Sequence, residues 1–464
     1  MRKSEFGVIG LGVMGKNLSL NIAEKGFKVS VYNRNEGDEA NFVTNFLNEN
    51  SSFKNILGYH SIEKFVASLE KPRKILMMVK AGSVVDYVIN QLTDFLDSED
   101  IIIDGGNSYF LDTKKRYDAL QKKNIQFIGC GISGGEEGAR KGPSMMPGGN
   151  NSSYKLVAPV LETIAAKDAN NKPCCTFVGK DGAGHFVKMI HNGIEYAEMQ
   201  LLAEMYAMMS ISMTNESISA IFSSWNKSDL SSYLLEITSK ILIKKEAGNY
   251  IIDTILDKAG NKGTGSWSSK LALDIGIPAT IMTSAVFARY LSAFKEKRKK
   301  LSVLISREKA TFEIPRTKIL EKAYRFARII NHQQGFEIIS VCSSEQNWDI
   351  NLSELSRIWT NGCIIRSNLM NDVSEIFKNN PELIDDTSIF ETLKISENAV
   401  SKLLKSGIDN RISLDAFYAA YNYWVSMTTK RLPANLIQAQ RDFFGAHTYQ
   451  KIDENPSQYF HTNW

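Results

Sequence analysis

The stretch Phe6-Gly7-Val8-Ile9-Gly10-Leu11-Gly12-Val13-Met14-Gly15 decides the fold, because an apolar run ends there in the pattern GxGxxG and a helical pattern follows. Gly10 permits a tight turn, Gly12 lets the backbone approach a pyrophosphate, and Gly15 lets the helix pack closely on the strand. Amides at the start of that helix bind the anion. We therefore predict a dinucleotide site here; the alternative is a tight strand-to-helix turn without a ligand.

Short apolar runs recur through roughly the first 130 residues, and longer stretches with helical periodicity separate them. The runs are Phe6–Gly10, Lys28–Tyr32, Lys74–Val79, Ile101–Asp104 and Ile125–Gly129. Alternating strands and helices predict an α/β, Rossmann-like domain, and runs rich in Ile and Val indicate strands of a parallel sheet buried on both faces.

The chain changes character after this region. The stretch Gly129–Gly149 is rich in glycine and proline, and we predict a loop there that forms a domain boundary and lines a site. Beyond Lys180 long helical patterns dominate, which predicts a large all-α domain. The basic run Lys295–Lys300 is interpreted as a solvated helix face rather than an anion site.

The last residues, Arg441–Trp464, hold six aromatic side chains among polar residues with little regular periodicity. A disordered tail is normally depleted in aromatic residues. We expect this segment to dock on another surface, and a partner subunit is the candidate.

Composition excludes several classes. The 464 residues are 43% apolar, which excludes a disordered chain, and the net charge of +4 argues against a dedicated nucleic-acid binder. No apolar stretch is long enough to span a membrane, and we see no signal peptide at the N-terminus. Five cysteines without a CxxC pair do not form a disulfide framework, so we expect a reducing, cytoplasmic environment.

The residues after the second predicted strand determine whether the site prefers NAD or NADP. NAD-preferring sites usually place a carboxylate there for the ribose 2′-hydroxyl. Here the strand ends in Asn33-Arg34-Asn35, which offers an arginine to a 2′-phosphate and favours NADP, although Glu36 and Asp38 lie close by. The alternative for Arg34 is an ordinary surface arginine.

The segment Gly182–Tyr196 is the most informative part of the chain. On a helix, one face collects five polar residues: Lys188, His191, Asn192, Glu195 and Tyr196. Lys188 and Glu195 are two turns apart, roughly 10 Å along the axis, so they bracket a small linear substrate with a base and an acid. The lysine acts as a base only if burial or nearby cations lower its pKa. The alternative is an amphipathic surface helix.

Two other chemistries find no support in the sequence. The six histidines form neither HxxxH nor HExxH, so we predict no metal site. The GxSxG pattern of a serine nucleophile does not occur either.

Together these residues resemble the 6-phosphogluconate dehydrogenase family, the decarboxylating enzymes of the pentose phosphate pathway. The similarity covers the whole chain. Its motifs are Gly10–Gly15, Asn33-Arg34, Val79–Gly82, Asp104–Ser108, Ser133–Glu136, Gly142–Ser144, Met146–Gly149, His185–Tyr196, Gly263–Gly265, Phe287–Tyr290 and Arg441–Tyr449. The helix segment and Arg441–Tyr449 are highly specific, whereas many dehydrogenases share the glycine motif.

The resemblance implies a three-part chain: a Rossmann-like coenzyme domain (1–180), an all-helical substrate and dimerisation domain (181–440), and a tail (441–464) that reaches the second subunit of a homodimer. It implies that NADP oxidises 6-phosphogluconate to ribulose 5-phosphate and CO₂ without a metal. Lys188 is then the general base for the 3-hydroxyl and polarises the resulting ketone. Glu195 is the acid that protonates C1 of the enediol.

The resemblance also assigns binding residues. The substrate's carboxylate and hydroxyls would contact Asn107, Ser133, Gly134, Gly135, His191 and Asn192. Its phosphate would contact Tyr196 and Arg289, with Arg441 and His447 reaching in from the other subunit. The coenzyme would contact Gly10–Gly15, Asn33–Asn35, Val79, Lys80, Ala81 and Asn107.

Two positions depart from the family pattern. The family has Gly-Thr-Gly-Lys-Trp where this chain has Gly263-Thr264-Gly265-Ser266-Trp267, so a lysine on the substrate phosphate is replaced by Ser266. Lys262 or Lys270 compensates, or backbone amides bind the phosphate, and we expect greater dependence on Arg289 and Arg441. Asn35 stands where the family commonly has Thr or Ser, and it can still donate to a 2′-phosphate.

Two rival functions fit parts of the same sequence. Other β-hydroxyacid dehydrogenases, such as those that oxidise 3-hydroxyisobutyrate, are shorter and lack the segment Arg441–His447. A catalytically dead NADP-binding scaffold protein is the second rival, and the presence of both Lys188 and Glu195 counts against it.

Overall fold

A computed structural model describes residues 3–260, 263–305 and 313–464. Its N-terminal part is one twisted sheet with strand order 3-2-1-4-5-6-7. The strands are β1 Phe6–Ile9, β2 Val29–Tyr32, β3 Ile56–Tyr59, β4 Lys74–Met77, β5 Ile101–Asp104, β6 Gln126–Ser133 and β7 Ser144–Gly149. Strands β1 to β6 run parallel, and β7 pairs antiparallel with β6.

Helices connect and cover these strands. They are α1 Val13–Glu24, α2 Phe42–Glu49, α3 Ile62–Ala67, α4 Ser83–Thr93, α5 Phe110–Gln121, α6 Gly135–Lys141 and α7 Asn151–Ile164. Because helices lie on both faces, every residue of β1, β5 and β6 is buried. The predicted Rossmann-like α/β fold is confirmed.

Two features of the sheet differ from the sequence prediction. The strand β3, Ile56-Leu57-Gly58-Tyr59, was not predicted, because three of its four residues are only partly buried and one of them is a glycine. The loop predicted over Gly129–Gly149 is wrong, because that stretch holds the end of β6, the helix α6 and the strand β7. Its glycines allow close packing rather than a flexible connection.

The C-terminal part is helical within the described residues. Its helices are α8 Ala183–Met209, α9 Asn215–Trp225, α10 Tyr233–Ile243, α11 Ile251–Thr254, α12 Thr264–Asp274, α13 Thr280–Ser292, α14 Lys295–Ser302, α15 Thr317–Gln346, α16 Leu352–Ile358, α17 Asn368–Ile376, α18 Thr387–Asp409, α19 Asp415–Met427 and α20 Ala434–Gly445. A two-stranded ribbon interrupts them, with β8 Lys245–Glu246 and β9 Asn249–Tyr250. The long helices α8 and α15 pack together at the centre of this core.

The surface of the helical part contains the predicted basic run and the aromatic tail. No side chain of α14 is buried, and Lys295 and Arg298 form ion pairs with Asp257. The tail folds back around the buried carboxylate of Asp442, which accepts hydrogen bonds from the backbone of residues 448 and 462 and from the indole of Trp464. Across the described ranges, no helix combines the length and apolar character needed to cross a membrane.

Candidate active site

The glycine turn between β1 and α1 has the geometry that its sequence predicts. Gly10 has a φ of +92°, and a Cβ there would lie 2.5 Å from the Met78 carbonyl oxygen. A Cβ on Gly15 would lie 1.8 Å from the Gly10 carbonyl oxygen. A Cβ on Gly12 would meet no heavy atom within 4 Å. Gly10 and Gly15 are therefore required by packing, whereas Gly12 leaves open space at the start of α1, where a pyrophosphate fits.

The residues that follow β2 divide into a buried anchor and an exposed cation. Asn33 is buried, and its side-chain oxygen accepts a hydrogen bond from the Leu11 amide at 2.9 Å. Arg34 is exposed, and its guanidinium donates to Glu39 at 2.7 Å. Asn33 also donates to Glu39, so this glutamate, which sequence analysis missed, orients both side chains. Asn35 is exposed beside them.

The loop after β4 lies against the glycine turn. A Cβ on Gly10 would contact Val79 Cγ1 at 3.2 Å, and a Cβ on Gly106 would lie 3.1 Å from the Val79 carbonyl oxygen. The segment with Val79, Lys80 and Ala81 therefore lies between the glycine turn and the loop that carries Asn107. Lys80 is exposed on this segment and offers its ammonium as a donor.

The N-terminal end of α8 packs directly on the edge of the sheet. A Cβ on Gly184 would lie 2.1 Å from the Gly129 carbonyl oxygen and 2.3 Å from that of Met146. A Cβ on Gly131 would lie 2.5 Å from Lys188 Cβ. The glycines of β6 and α8 thus let the helix approach the strand, and this contact brings Lys188 against Gly131 and His191 against Ser133.

Lys188 is buried in a polar cluster. Its Nζ donates to Asn192 Oδ1 at 2.8 Å and lies 3.3 Å from His191 Nδ1. Burial lowers the pKa of Lys188, with the charge of Glu195 opposing the effect. Burial and the neighbouring lysine hold the pKa of His191 well below its usual range, and its Nε2 lies 3.1 Å from Ser133 Oγ.

Glu195 completes this face of α8. Its Oε2 lies 3.8 Å from His191 Nδ1, and burial raises the pKa of its carboxyl against the charges of Lys188 and Arg289. The Arg289 guanidinium lies over the ring of Tyr196, 3.4 Å from its centroid. Most of α8 is buried, so the alternative of an amphipathic surface helix is excluded.

A small cavity opens on this face. It is lined by Asn107, Ser108, His185, Lys188, Met189, Asn192 and Trp267. Gly134 and Gly135 follow Ser133 with positive φ values of +125° and +61°, a backbone conformation that favours glycine and that forms a turn at the end of β6.

The segment Gly263–Trp267, in which Ser266 stands where the family has a lysine, lies next to Tyr196. A Cβ on Gly265 would be 2.4 Å from the Tyr196 ring, so the first turn of α12 packs against that side chain. Ser266 donates its hydroxyl to the Gly263 carbonyl oxygen at 2.7 Å. Lys270 is exposed on α12, and Lys262 lies outside the described residues.

Arg441 and His447 are not brought to this cluster. Arg441 donates to Gln438 at 3.1 Å, and the His447 ring packs against Phe444. Among the hydrogen bonds, ion pairs and ring contacts of residues 3–260, 263–305 and 313–464, none joins either side chain to Lys188 or its neighbours.

Sequence analysis also missed the segment Trp359–Ile364, which contacts His191 and Ser133 of the site. The centroids of the Trp359 and His191 rings lie 5.4 Å apart, and the Ile364 amide donates to Ser133 Oγ at 3.4 Å. The pattern of this segment points to no known chemistry, so only its position in the fold identifies it.

Two family models match the chain. The model described as the NAD binding domain of 6-phosphogluconate dehydrogenase matches residues 5–179. The model described as the C-terminal domain of 6-phosphogluconate dehydrogenase matches residues 184–464. The chain belongs to the 6-phosphogluconate dehydrogenase family. The family inferred from the sequence motifs is therefore confirmed.

Similar proteins of this family extend over the whole chain. The NADP(+)-dependent, decarboxylating 6-phosphogluconate dehydrogenase of Bacillus subtilis is 45% identical, with 100% of both chains covered. The decarboxylating enzyme of Escherichia coli is 44% identical, again with 100% of both covered. The solved structure of Plasmodium falciparum 6-phosphogluconate dehydrogenase has a TM-score of 0.94 and 38% identity, and the match covers 99% of this chain and 100% of that one.

Within the part of the chain that the structure describes, no group of three or more His, Cys, Asp or Glu residues is arranged to hold a metal ion.

Proposed function

We propose that this chain oxidises and decarboxylates 6-phosphogluconate to ribulose 5-phosphate and CO₂ with NADP as the oxidant. The observation that carries the proposal is the buried face of α8, where Lys188 contacts Asn192 and His191 and Glu195 follows two turns later. The family gives the reaction, since its members are named as decarboxylating 6-phosphogluconate dehydrogenases.

The coenzyme is NADP. The Bacillus subtilis relative is named as NADP(+)-dependent, and the Plasmodium falciparum protein was solved in complex with NADP+. When bound, NADP accepts the hydride that leaves C3 of the substrate. In this chain the open space at Gly12 takes the pyrophosphate, and the exposed guanidinium of Arg34 pairs with the 2′-phosphate, with Asn35 beside it.

Lys188 acts as the general base. Burial lowers its pKa, which favours the neutral amine that accepts the proton of the 3-hydroxyl in this proposal. The ammonium that forms then donates to the new ketone oxygen and stabilises the negative charge that develops there as CO₂ leaves. In this role Lys188 makes a divalent metal unnecessary.

Glu195 acts as the general acid. Burial raises the pKa of its carboxyl, which keeps the proton available for delivery to C1 of the enediol. His191 stays neutral between the two because its pKa is held low, so it orients Lys188 and Ser133 without adding a charge.

The substrate extends along α8. We propose that Asn107, Ser133 and the turn at Gly134-Gly135 bind its carboxylate end together with His191 and Asn192. Arg289, stacked on Tyr196, binds the phosphate at the other end, where the first turn of α12 with Ser266 adds donors.

Arg441 and His447 come from the partner subunit of a homodimer in this proposal. The tail and α20 expose large apolar side chains, among them Phe443 at 69% and Phe444 at 72% exposure. Such side chains are typical of a surface covered by another chain.

In this proposal the chain is divided at residues 180 and 440 into coenzyme domain, helical domain and tail. We place it in the cytoplasm, because its five cysteines are buried free thiols.

The experiment is an absorbance assay with 6-phosphogluconate and NADP, run with and without a chelator. NADPH formation in both is the expected result. No NADPH at all would refute the proposed reaction, and a signal that the chelator abolishes would refute the metal-free mechanism. The variant Lys188→Ala should lose turnover and keep NADP binding, measured by titration calorimetry.

A further inference from the structure

Arg116 lies on α5, buried between the two loops that receive the ligands of the proposed reaction. We call residues 79–82, after β4, the coenzyme loop. We call residues 105–108, after β5, the substrate loop, because it carries Asn107. Neither the sequence motifs nor the proposed chemistry uses this arginine.

The guanidinium holds the coenzyme loop at its last residue. Arg116 Nη2 donates to the Gly82 carbonyl oxygen at 3.0 Å. The same side chain binds Asp86, in the first turn of α4, through two parallel hydrogen bonds of 2.6 and 3.0 Å. A planar guanidinium makes this paired contact, which an ammonium cannot reproduce.

The third nitrogen of Arg116 faces the anchor of the substrate loop. Nη1 lies 3.8 Å from Asp104 Oδ2 and has no hydrogen-bond partner among the described residues. Asp104 is fully buried and accepts hydrogen bonds from the Gly106 amide at 3.0 Å and from the Ser108 hydroxyl at 2.6 Å. The charge of Arg116 therefore acts on the carboxylate that shapes the substrate loop.

The helix α5 is also fixed to the catalytic helix. Thr113 Oγ1 lies 2.6 Å from His185 Nδ1, and Lys114 pairs at 2.9 Å with Asp181, just before α8. A displacement of α5 would thus be felt at the coenzyme loop, at the substrate loop and at the N-terminal end of α8.

We propose that Arg116 is a positioning residue that couples binding of the coenzyme to binding of the sugar acid. The two loops are close to each other where a Cβ on Gly106 would lie 3.1 Å from the Val79 carbonyl oxygen. Arg116 contributes to their relative position through its contacts with Gly82 and Asp104. The inference rests on the proposed function, because it places the coenzyme on the first loop and the sugar acid at Asn107 of the second, a residue that the resemblance also assigns to the coenzyme.

The chain offers a matched control in Arg73. This arginine is as buried as Arg116, at 8% exposure each, and it pairs with Asp97 and Asp100. It lies at the opposite, amino-terminal end of β4 and β5, away from both loops. Arg73→Lys and Arg116→Lys each replace a buried guanidinium with an ammonium. Only Arg116→Lys alters contacts with the coenzyme loop and the substrate loop.

The test measures binding without turnover. NADPH is titrated by fluorescence in the absence and presence of saturating 6-phosphogluconate, since the reduced coenzyme cannot accept a hydride. The ratio of the two dissociation constants is the coupling factor. We expect Arg116→Lys to bring this factor at least about fivefold closer to one, while Arg73→Lys keeps the native value.

A second variant guards against a folding defect. The partly exposed Asp86 offers a second change, because Asp86→Asn removes the carboxylate that pairs with Arg116 but keeps a side-chain oxygen that can accept its hydrogen bond, and it should reduce the coupling in the same direction. Thermal unfolding checks that each variant is folded. Native coupling in folded Arg116→Lys, an equal loss in Arg73→Lys, or a factor of one in the native chain would overturn the inference. Failure of the native chain to bind either ligand would instead refute the proposed function.

Discussion

Replacing Gly12 by alanine separates coenzyme binding from folding. Gly12 has φ −68° and ψ −176°, a conformation that alanine adopts without strain, and its Cβ would meet no protein atom within 4 Å. Such a change restricts the unfolded chain, so the free energy of unfolding should stay the same or rise by ~0.4–1 kcal/mol. The new methyl group occupies the space where the pyrophosphate approaches the helix amides. An overpacked contact costs ~1–3 kcal/mol, equivalent to about 5- to 150-fold in the dissociation constant of NADP.

Gly15→Ala is the matched comparison in the same turn. Its Cβ would lie 1.8 Å from a backbone oxygen of Gly10, so α1 must shift by roughly 1.5 Å to restore a normal contact. We expect a loss of more than ~3 kcal/mol of stability together with the loss of binding. Urea unfolding and calorimetric titration with NADP measure both quantities. Native NADP affinity in Gly12→Ala would refute the assignment of this space to the pyrophosphate.

Three further predictions concern the phosphate site and the helical core. Arg441→Ala should raise the KM for 6-phosphogluconate at least about tenfold with little change in kcat, since hydrogen bonds to charged groups contribute ~1.5–3 kcal/mol; an unchanged KM in steady-state kinetics would exclude its role. Ser266→Lys restores the family residue and should lower that KM by about three- to tenfold, equivalent to ~0.7–1.4 kcal/mol, the net contribution of one ordinary hydrogen bond; the effect should weaken at high salt in the same assay. Burial raises the pKa of Glu204 from 4.5 to about 7 although the amides of Ala416 and Phe417 donate to its carboxyl. Because the folded state binds this proton more tightly, stability is fully present below pH 4.5 and falls by about 3 kcal/mol as the pH rises through 7. Glu204→Gln should remove that dependence in unfolding curves recorded from pH 5 to 8, and an unaltered pH profile would contradict the cause.

The sequence predicted the fold where local patterns match the tertiary environment. The alternation of apolar runs and helical patterns located β1, β2, β4 and β5, because strands buried on both faces need continuous apolar residues. It failed at Gly129–Gly149, where glycine usually signals a loop. There the glycines permit α8 to approach β6 and β7, which is a property of packing between distant segments and leaves no local trace.

In the candidate site, too, the sequence predicted residues that belong to one local pattern and missed residues that act between distant segments. Helical spacing alone placed Lys188, Asn192 and Glu195 on one face, because all three belong to one element. Glu39, Arg116 and the segment Trp359–Ile364 were missed, since each acts across elements and matches no motif with a known mechanism. Charge spacing did offer a signal for Glu39, an acidic residue five positions after Arg34, but only Glu36 and Asp38 were noted there.

One physical cause prepares both catalytic groups of the proposed reaction. Burial of α8 disfavours charge on every side chain of its polar face, so the same environment lowers the pKa of Lys188 and raises that of Glu195. The attraction between the two groups opposes both shifts, because each charge stabilises the other. Their separation by two helical turns keeps this attraction weaker than the desolvation. Burial therefore favours the neutral form of both the base and the acid before the substrate enters, and a reaction that begins by removing one proton and ends by delivering another needs that starting state.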